Sequence, residues 1–373
     1  MYSVHQHWDP LKVCIVGRSY SPRFYDYIKN KNVRDVFYRI AEETEEDFQS
    51  LIALLESFGV EVLRPDVSDD HRDYTQGNLI LPPPMTPRDY TAMIGNNFYM
   101  SRRDVRSVWD RIRGDSWPEC PVNFADIPQW ILNETQDFFN LWAREDFAYN
   151  NICQYMKEHS HIVYDQNINS ANTARIGRDL YFGTDSYDDP VDQLHQQYQK
   201  MFPDYRCHML NTGGHADGVY CAVAPGLIIS STEITDYEPL FPGWEIVYAD
   251  RVSVDTVPDF IKIKEKNNGR WWIPNQESNN ELIHFVDNYI SNWTGYVAES
   301  VFDVNILAID PNNIICNSYN EKMYDAFVAR NITPHVINFR HRYFWDGGIH
   351  CITSDLHRIG ELQDYFPIDN NLQ

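Results

Sequence analysis

Three short stretches set nucleophilic, basic and acidic side chains beside glycine or proline turns. The first is WDGGIHCITSD at 345–355, where Gly347 and Gly348 precede His350 and Cys351. Glycine permits backbone paths closed to other residues, so a cysteine after a glycine pair can approach a cleft closely. A cysteine nucleophile needs a base and a group to orient it; the plain alternative is a buried strand cysteine. The second is NTGGHADGVYCAVAPGLIIS at 211–230, again after a glycine pair that ends in Gly214. His215 and Asp217 are two apart, which on a strand puts both on one face. An imidazole shuttles protons near neutral pH, and a carboxylate holds a cation by charge-assisted hydrogen bonds. The alternative here is a solvated turn before a hairpin. The third, MTPRDYTAMIGNNFYM at 85–100, sets Arg88 and Asp89 just ahead of a β-type run. Its plain reading is a salt pair at a loop end. A metal site drawn from His215, Asp217, His350 and Cys351 matches no tight zinc spacing. No metal and no cofactor is expected.

Positioning these groups falls to short β-rich runs. They include LKVCIVG (11–17), VEVLRP (60–65), YTAMIG (90–95), HIVYD (161–165), DLYFG (179–183) and YRCHML (205–210). GVYCAVAPGLIIS (218–230), WEIVYAD (244–250), VNILAIDPNNIICN (304–317), PHVINF (334–339) and GIHCITSD (348–355) continue the series. Several alternate with period two and stop at Gly, Pro, Asp or Asn. APGLI and DPNNI read as tight hairpin turns. Helical spacing is clearest from Asp35 to Phe58, with Gly59 as its stop. Further helices are expected at 191–202, 280–293 and 320–330. A strand, a helix and a strand hairpin thus recur roughly every 60–70 residues, and one α/β domain over 1–373 is expected.

The chain has 373 residues, 43% hydrophobic, enough for a large core. Its 54 acidic and 31 basic side chains give a net charge of −23, which repels nucleic acid and anionic membranes and attracts a cationic small molecule. No signal-peptide pattern opens it, and no apolar run is long enough to span a membrane. The seven scattered cysteines form no CxxC pair and fit reduced thiols in the cytoplasm.

These segments, taken in order, resemble the amidinotransferase family, of the glycine amidinotransferase-like kind. HWDPLKVCIVGRSY (7–20) looks like its opening strand, GVEVLRPD (59–66) the end of its first long helix, and MTPRDYTAMIGNNFY its Pro-Arg-Asp strand. ANTARIGRDLYF (171–182), PDYRCHMLN (203–211), HADGVYCAVAPGLIIS and WDGGIHCITSDLHRIG are similar to four more of its motifs. The resemblance implies the pentein fold, a five-bladed α/β propeller with pseudo-fivefold symmetry and a site on its axis. It implies Cys351 as nucleophile on the guanidinium carbon of an arginine-like donor and His215 as proton shuttle. Asp89 and Asp217 become the carboxylates that grip the guanidinium, with Arg88, Gly214 and Gly348 counted in the substrate-binding set. An amidino-cysteine intermediate and an amine acceptor follow. His350 is expected on the opposite face from Cys351, in a structural role. Small-molecule substrates and a homodimer are the partners implied.

The sequence departs from the family pattern in four places. Asn169 stands where the family has the aspartate that supports its histidine; an asparagine orients an imidazole without adding charge. Asp165 lies close enough in sequence to substitute. The stretch STEITDY (231–237) lacks the family's carboxylate-binding arginine, and Ala298 and Glu299 occupy the positions of its serine pair. Residues 261–293, with Trp271 and Trp272, look like an insertion that covers the site, forms a subunit contact or merely packs on the surface. Two other readings stay open: a guanidino-group hydrolase on the same fold, and a catalytically impaired pentein that binds a cationic ligand.

Overall fold

The computed structural model describes residues 1–76, 79–101, 148–165, 167–184, 186–231, 237–249, 271–291, 293–294 and 303–366. Its first strand, β1 (Leu11–Val16), leads into helix α1 (Lys31–Ser57) and back to β2 (Glu61–Leu63), parallel to β1. The helix starts four residues before the expected Asp35. Asn30 caps it, its side-chain oxygen accepting from the N–H groups of Asn32 and Val33. Phe37, Ile40, Phe48, Leu51 and Leu55 bury its inner face. Gly59, at φ +74°, ends it, and Val60 N–H returns to Leu55 O at 3.2 Å.

A short ladder, β3 (Thr75–Gln76) with β4 (Leu79–Ile80), precedes three units of one design. Strands β5 (Thr91–Ile94) and β6 (Asn97–Met100) form a hairpin, and β7 (His161–Tyr164) returns parallel to β6 after α2 (Asn150–Met156). β8 (Thr173–Ile176) and β9 (Asp179–Gly183) are joined by β10 (Arg206–Leu210) after α3 (Val191–Met201). β11 (Tyr220–Ala224) and β12 (Leu227–Ser230) are joined by β13 (Glu245–Tyr248) after α4 (Tyr237–Leu240). Helix α5 (Asn280–Tyr289) packs against α1. A fourth copy comprises β14 (Leu307–Asp310), β15 (Asn313–Cys316), α6 (Glu321–Val328) and β16 (Thr333–Val336). After α7 (Arg342–Trp345), the last strand, β17 (Thr353–Arg358), pairs antiparallel with β1. The chain's two ends thereby complete a fifth sheet of the same order.

Burial sets the orientation of every sheet. The leading strands β5 and β8 are buried at every position, while the trailing strands β7 and β16 are exposed at both ends. A strand covered on both faces needs no polar alternation. The leading strands are therefore innermost, and β17 packs against β5 and β11 against β8. The hairpins at APGLI and DPNNI form as expected, Gly226 taking φ +81°. Strands β6 and β8 escape the sequence reading. In β8 the run Thr-Ala-Arg-Ile carries a fully buried arginine, so it shows no apolar pattern.

Of the insertion expected at 261–293, residues 271–291 and 293 lie among those described. Trp271 meets Phe344 edge-on at 5.7 Å, Trp272 meets Tyr343 at 5.7 Å, and Trp293 stacks on Trp345 at 6.1 Å. This segment is packed into the core behind α7, the helix that leads to Cys351.

Candidate functional site

Each innermost strand is preceded by a short turn, and the five turns are hydrogen-bonded into a ring. Arg88 O, in the 3-10 turn Pro87–Asp89 before β5, accepts from Ser170 N–H at 3.0 Å. Ala171 O, before β8, accepts from Asp217 N–H at 3.0 Å, and Asn172 Oδ1 accepts from Ala216 N–H at 3.0 Å. Asp217 O, before β11, accepts from Asn305 Nδ2 at 3.1 Å. Asn305 Oδ1, before β14, accepts from the N–H groups of His350 at 2.7 Å and Cys351 at 3.0 Å. His350 O and Thr353 O, at β17, accept from Arg88 Nε at 2.7 and 2.9 Å, which closes the ring. Residues distant in sequence converge because each turn enters its sheet at the innermost strand.

Cys351 is not on the expected strand. Residues 349–352 form a turn, and β17 starts at Thr353. The alternation Ile-His-Cys-Ile looks like a strand, but its first three N–H groups bond to side chains, and Ile352 N–H turns back to Gly348 O at 3.0 Å. Asn317 Oδ1 takes Ile349 N–H at 3.1 Å, and Asn305 takes the next two. Gly348 is required for this grip, since a Cβ there would lie 2.6 Å from Asn305 Oδ1. Asn305 Nδ2 also donates to Cys351 Sγ at 3.1 Å. Sequence reasoning missed Asn305, although it stands two residues before its strand, as Asp89 and Cys351 do before theirs.

His215 and Asp217 do not share a strand face. Ala216–Gly218 is a 3-10 turn, so the two side chains diverge: His215 is half exposed and Asp217 is buried. His215 Nδ1 lies 3.5 Å from Asp89 Oδ1. Asp217 Oδ2 accepts from the Cys351 thiol at 3.4 Å and from His350 Nδ1 at 2.9 Å. His350 is thus a structural partner of Asp217, on the same side as the thiol, because the turn brings both to one carboxylate. Oδ1 of Asp217 and Oδ1 of Asp89 are buried and take no hydrogen bond. Asp89 keeps 28% of its side-chain surface exposed, but not through that oxygen.

Arg88 is placed otherwise than expected. Its guanidinium is fully buried and reaches under the cysteine turn to Asp355, 3.4 Å from NH2. Arg175 and Arg358 meet the same carboxylate at 2.8 and 2.7 Å. Arg88 therefore holds the turn and does not face a substrate. Gly214 takes part through the backbone, its N–H donating to Thr184 O at 2.8 Å. A Cβ at Gly214 would meet nothing within 4 Å, whereas one at Gly213, φ +62°, would lie 2.4 Å from the Tyr187 ring. Asn169 Oδ1 accepts from Asn172 N–H at 2.9 Å and so shapes the turn that carries Asn172 to Ala216. Asp165 accepts from its neighbour Asn167 N–H at 2.8 Å. Residues 232–236, Ala298 and Glu299 lie outside the described residues. Among the described residues no three His, Cys, Asp or Glu groups converge to hold a metal.

The charges follow from burial. Burial, then the charges of Asp217 and Asp89, push the Cys351 thiol well above its ordinary value; Gly348 N–H and Asn305 oppose this. Asp89 is also raised, mainly by burial, with His215 working against it. Burial works to raise Asp217, and the bond from His350 with the charges around it more than offsets that, so it is lowered. His350 is pushed down to about 4 by burial and the Arg88 charge. The pair at rest is a neutral imidazole donating to an ionised carboxylate. A buried thiol beside two carboxylates suits a cation, whose charge would favour the thiolate.

No established family model matches the chain. It is 22% identical to mitochondrial glycine amidinotransferase of Xenopus tropicalis over 406 aligned positions, covering 97% of this chain and 84% of that protein. It is 21% identical to L-arginine:L-lysine amidinotransferase of Pseudomonas savastanoi pv. phaseolicola, over 54% of this chain and 47% of that one. Among solved structures it is similar to inosamine-phosphate amidinotransferase from Streptomyces griseus, with a TM-score of 0.62, 17% identity and coverage of 98% and 99%. An amidinotransferase of the saxitoxin biosynthetic pathway from Microseira wollei gives 0.60, 18%, and the same coverage. The fold is the α/β pentein fold of these structures. No helix among the described residues is long and apolar enough to cross a membrane.

Proposed function

We propose that this chain, a member of the amidinotransferase family, moves the amidino group of an arginine-like donor to an amine through a covalent bond to Cys351. The observation that carries this reading is the pair of buried carboxylate oxygens without hydrogen-bond partners, on Asp89 and Asp217, beside a thiol. A guanidinium brings five N–H donors in a planar fork and one positive charge. It satisfies both oxygens and offsets the carboxylate charges that, with burial, keep the thiol protonated.

The donor's guanidinium binds between Asp89 and Asp217 with its carbon facing Sγ. His215 takes the thiol proton, and the thiolate forms a C–S bond to that carbon. The C–N bond to the donor chain breaks as His215 returns the proton to the leaving amine. The acceptor amine then loses a proton to His215, forms the new C–N bond, and the electron pair of the C–S bond returns to sulfur. Preorganised dipoles and charges stabilise both transition states. Asn305, donating to Sγ, is a positioning residue, as are His350, which holds Asp217, and Asn169, which shapes the neighbouring turn.

The five sheets are read as blades of one propeller with pseudo-fivefold symmetry, and the whole chain as one domain. Support comes from the ring of turns and from the fifth sheet, which needs both chain ends. A net charge of −23 suits cationic small molecules and not nucleic acid. A homodimer in the cytosol fits this reading; no two of the described cysteines are joined in a disulfide, as expected of reduced thiols.

The test is product balance. Incubated with guanidino-labelled arginine, the protein is expected to release ornithine only when an amine is present, with the label in the guanidino product of that amine. Citrulline, or ornithine without an amine, contradicts transfer.

The raised thiol has its own consequence. Alkylation of Cys351 by neutral iodoacetamide is expected to rise with pH past 9 without a plateau near neutrality. A cationic haloacetamidine of the same size is expected to react roughly 10- to 100-fold faster at pH 7, because its charge pairs with the carboxylates. Asn305→Ala removes a donor at sulfur and is expected to push the alkylation profile to still higher pH. Mass spectrometry of the alkylated peptide checks all three.

A further inference from the structure

A cleft of about 190 Å³ opens beside Asp89. Among the described residues Met85, Tyr90, Trp293 and Trp345 wall it, Asp89 and Asp346 supply its charge, and no lysine or arginine lines it. The walls are fixed. Trp293 Nε1 donates to Ile80 O at 2.8 Å, Trp345 Nε1 donates to Thr44 Oγ1 at 2.9 Å, and the two rings stack. Asp346 ends α7 in the left-handed region, φ +54°, with its N–H on Arg342 O. One wall, Trp293, closes the segment that the sequence sets apart as an insertion. That segment thus contributes one wall of a cleft that lies next to the carboxylate proposed to grip the amidino group.

We propose that this cleft is the acceptor's subsite and that it selects a short diamine, whose far ammonium binds Asp346 while its near amine faces the amidino-cysteine. The inference rests on the transfer reaction proposed above. Pro82, Pro83 and Met85 offer apolar contact to a short methylene chain between the two carboxylates. An acceptor ending in a carboxylate, such as glycine, would set that group against Asp346 and Asp89. In the transfer step the near amine, neutral, donates its lone pair to the amidino carbon and its proton to His215. The C–S bond breaks, and sulfur leaves as the thiolate. The product carries one guanidinium and one ammonium.

The test compares putrescine with butylamine, glycine and lysine as acceptors, with arginine as saturating donor and the full-length protein. The kcat/KM for putrescine is expected to exceed that for butylamine by roughly 10- to 100-fold, the range of one charge-assisted hydrogen bond. That ratio is expected to fall towards one in Asp346→Asn. It is expected to fall also in Asp346→Gly, which suits a positive φ and so keeps the turn. A purely structural role for Asp346 would lower both rates together and leave the ratio unchanged. Amidination of Cys351 by arginine alone, read by intact mass, reports the donor half separately. Equal rates for the two amines, an unchanged ratio in the variants, or a preference for glycine would overturn the subsite, while amidinated Cys351 together with a guanidino product of either amine upholds transfer. Failure of arginine to amidinate Cys351 would overturn both.

Discussion

Cys351→Ser is expected to lower turnover by about 10,000- to 1,000,000-fold, the scale of losing a covalent nucleophile. The hydroxyl fits the space of the thiol, and the turn that carries it is held from outside. Asn305 and Asn317 take the backbone N–H groups of residues 349–351, and Arg88 takes two carbonyls. Arginine binding is therefore expected to survive, since Asp89 and Asp217 supply the grip. Calorimetric titration of the serine variant with arginine, beside a turnover assay, separates the two. Loss of turnover with binding retained fits a nucleophile; turnover within tenfold of the native rate would remove Cys351 from the chemistry.

The largest effect on stability is expected at Asp355, which is fully buried. Its carboxylate lies between the guanidinium groups of Arg175 at 2.8 Å, Arg358 at 2.7 Å and Arg88 at 3.4 Å, with every one of these side chains at most 1% exposed. Burial works to raise Asp355, but the three cations, Arg175 first, hold it well below the usual carboxylate range. Asp355→Asn would leave three buried cations without a counter-charge. Removing one partner of such a cluster costs about 3–5 kcal/mol. Urea unfolding is expected to show that loss, and turnover is expected to fall with it, because Arg88 also supports the cysteine turn. An unfolding midpoint like that of the native protein would mean that the cluster does not hold the centre together.

Much of this site was legible in the sequence. Cys351, His215, Asp89 and Asp217 stand in short contiguous motifs, and the turns that hold them put glycine or proline beside each. Most of the strands were legible too, because those buried on both faces are continuous apolar runs. What escaped was carried by contacts across long stretches of chain. Nothing near Asn305 announces that its side chain will hold a turn 45 residues on. Arg88 sits beside Asp89 and reads as a substrate group, yet one faces the pocket and the other the buried floor. Arg175 hid β8, because a fully buried arginine is rare enough that its run reads as polar. The cysteine turn reads as a strand because side-chain acceptors, invisible to periodicity, replace its ladder. One regularity was available and unused. Asp89, Asn305 and Cys351 each precede an innermost strand by two residues, so in three of the five units that position marks the candidate site.

The most direct test of the central claim is to isolate the protein after brief exposure to guanidino-labelled arginine, map the label, and then add an amine. The account predicts one amidino group on Cys351, stable in buffer and discharged onto the amine with the label in its guanidino product. Label that never reaches Cys351, or that leaves it for water at the same rate with and without amine, would contradict it.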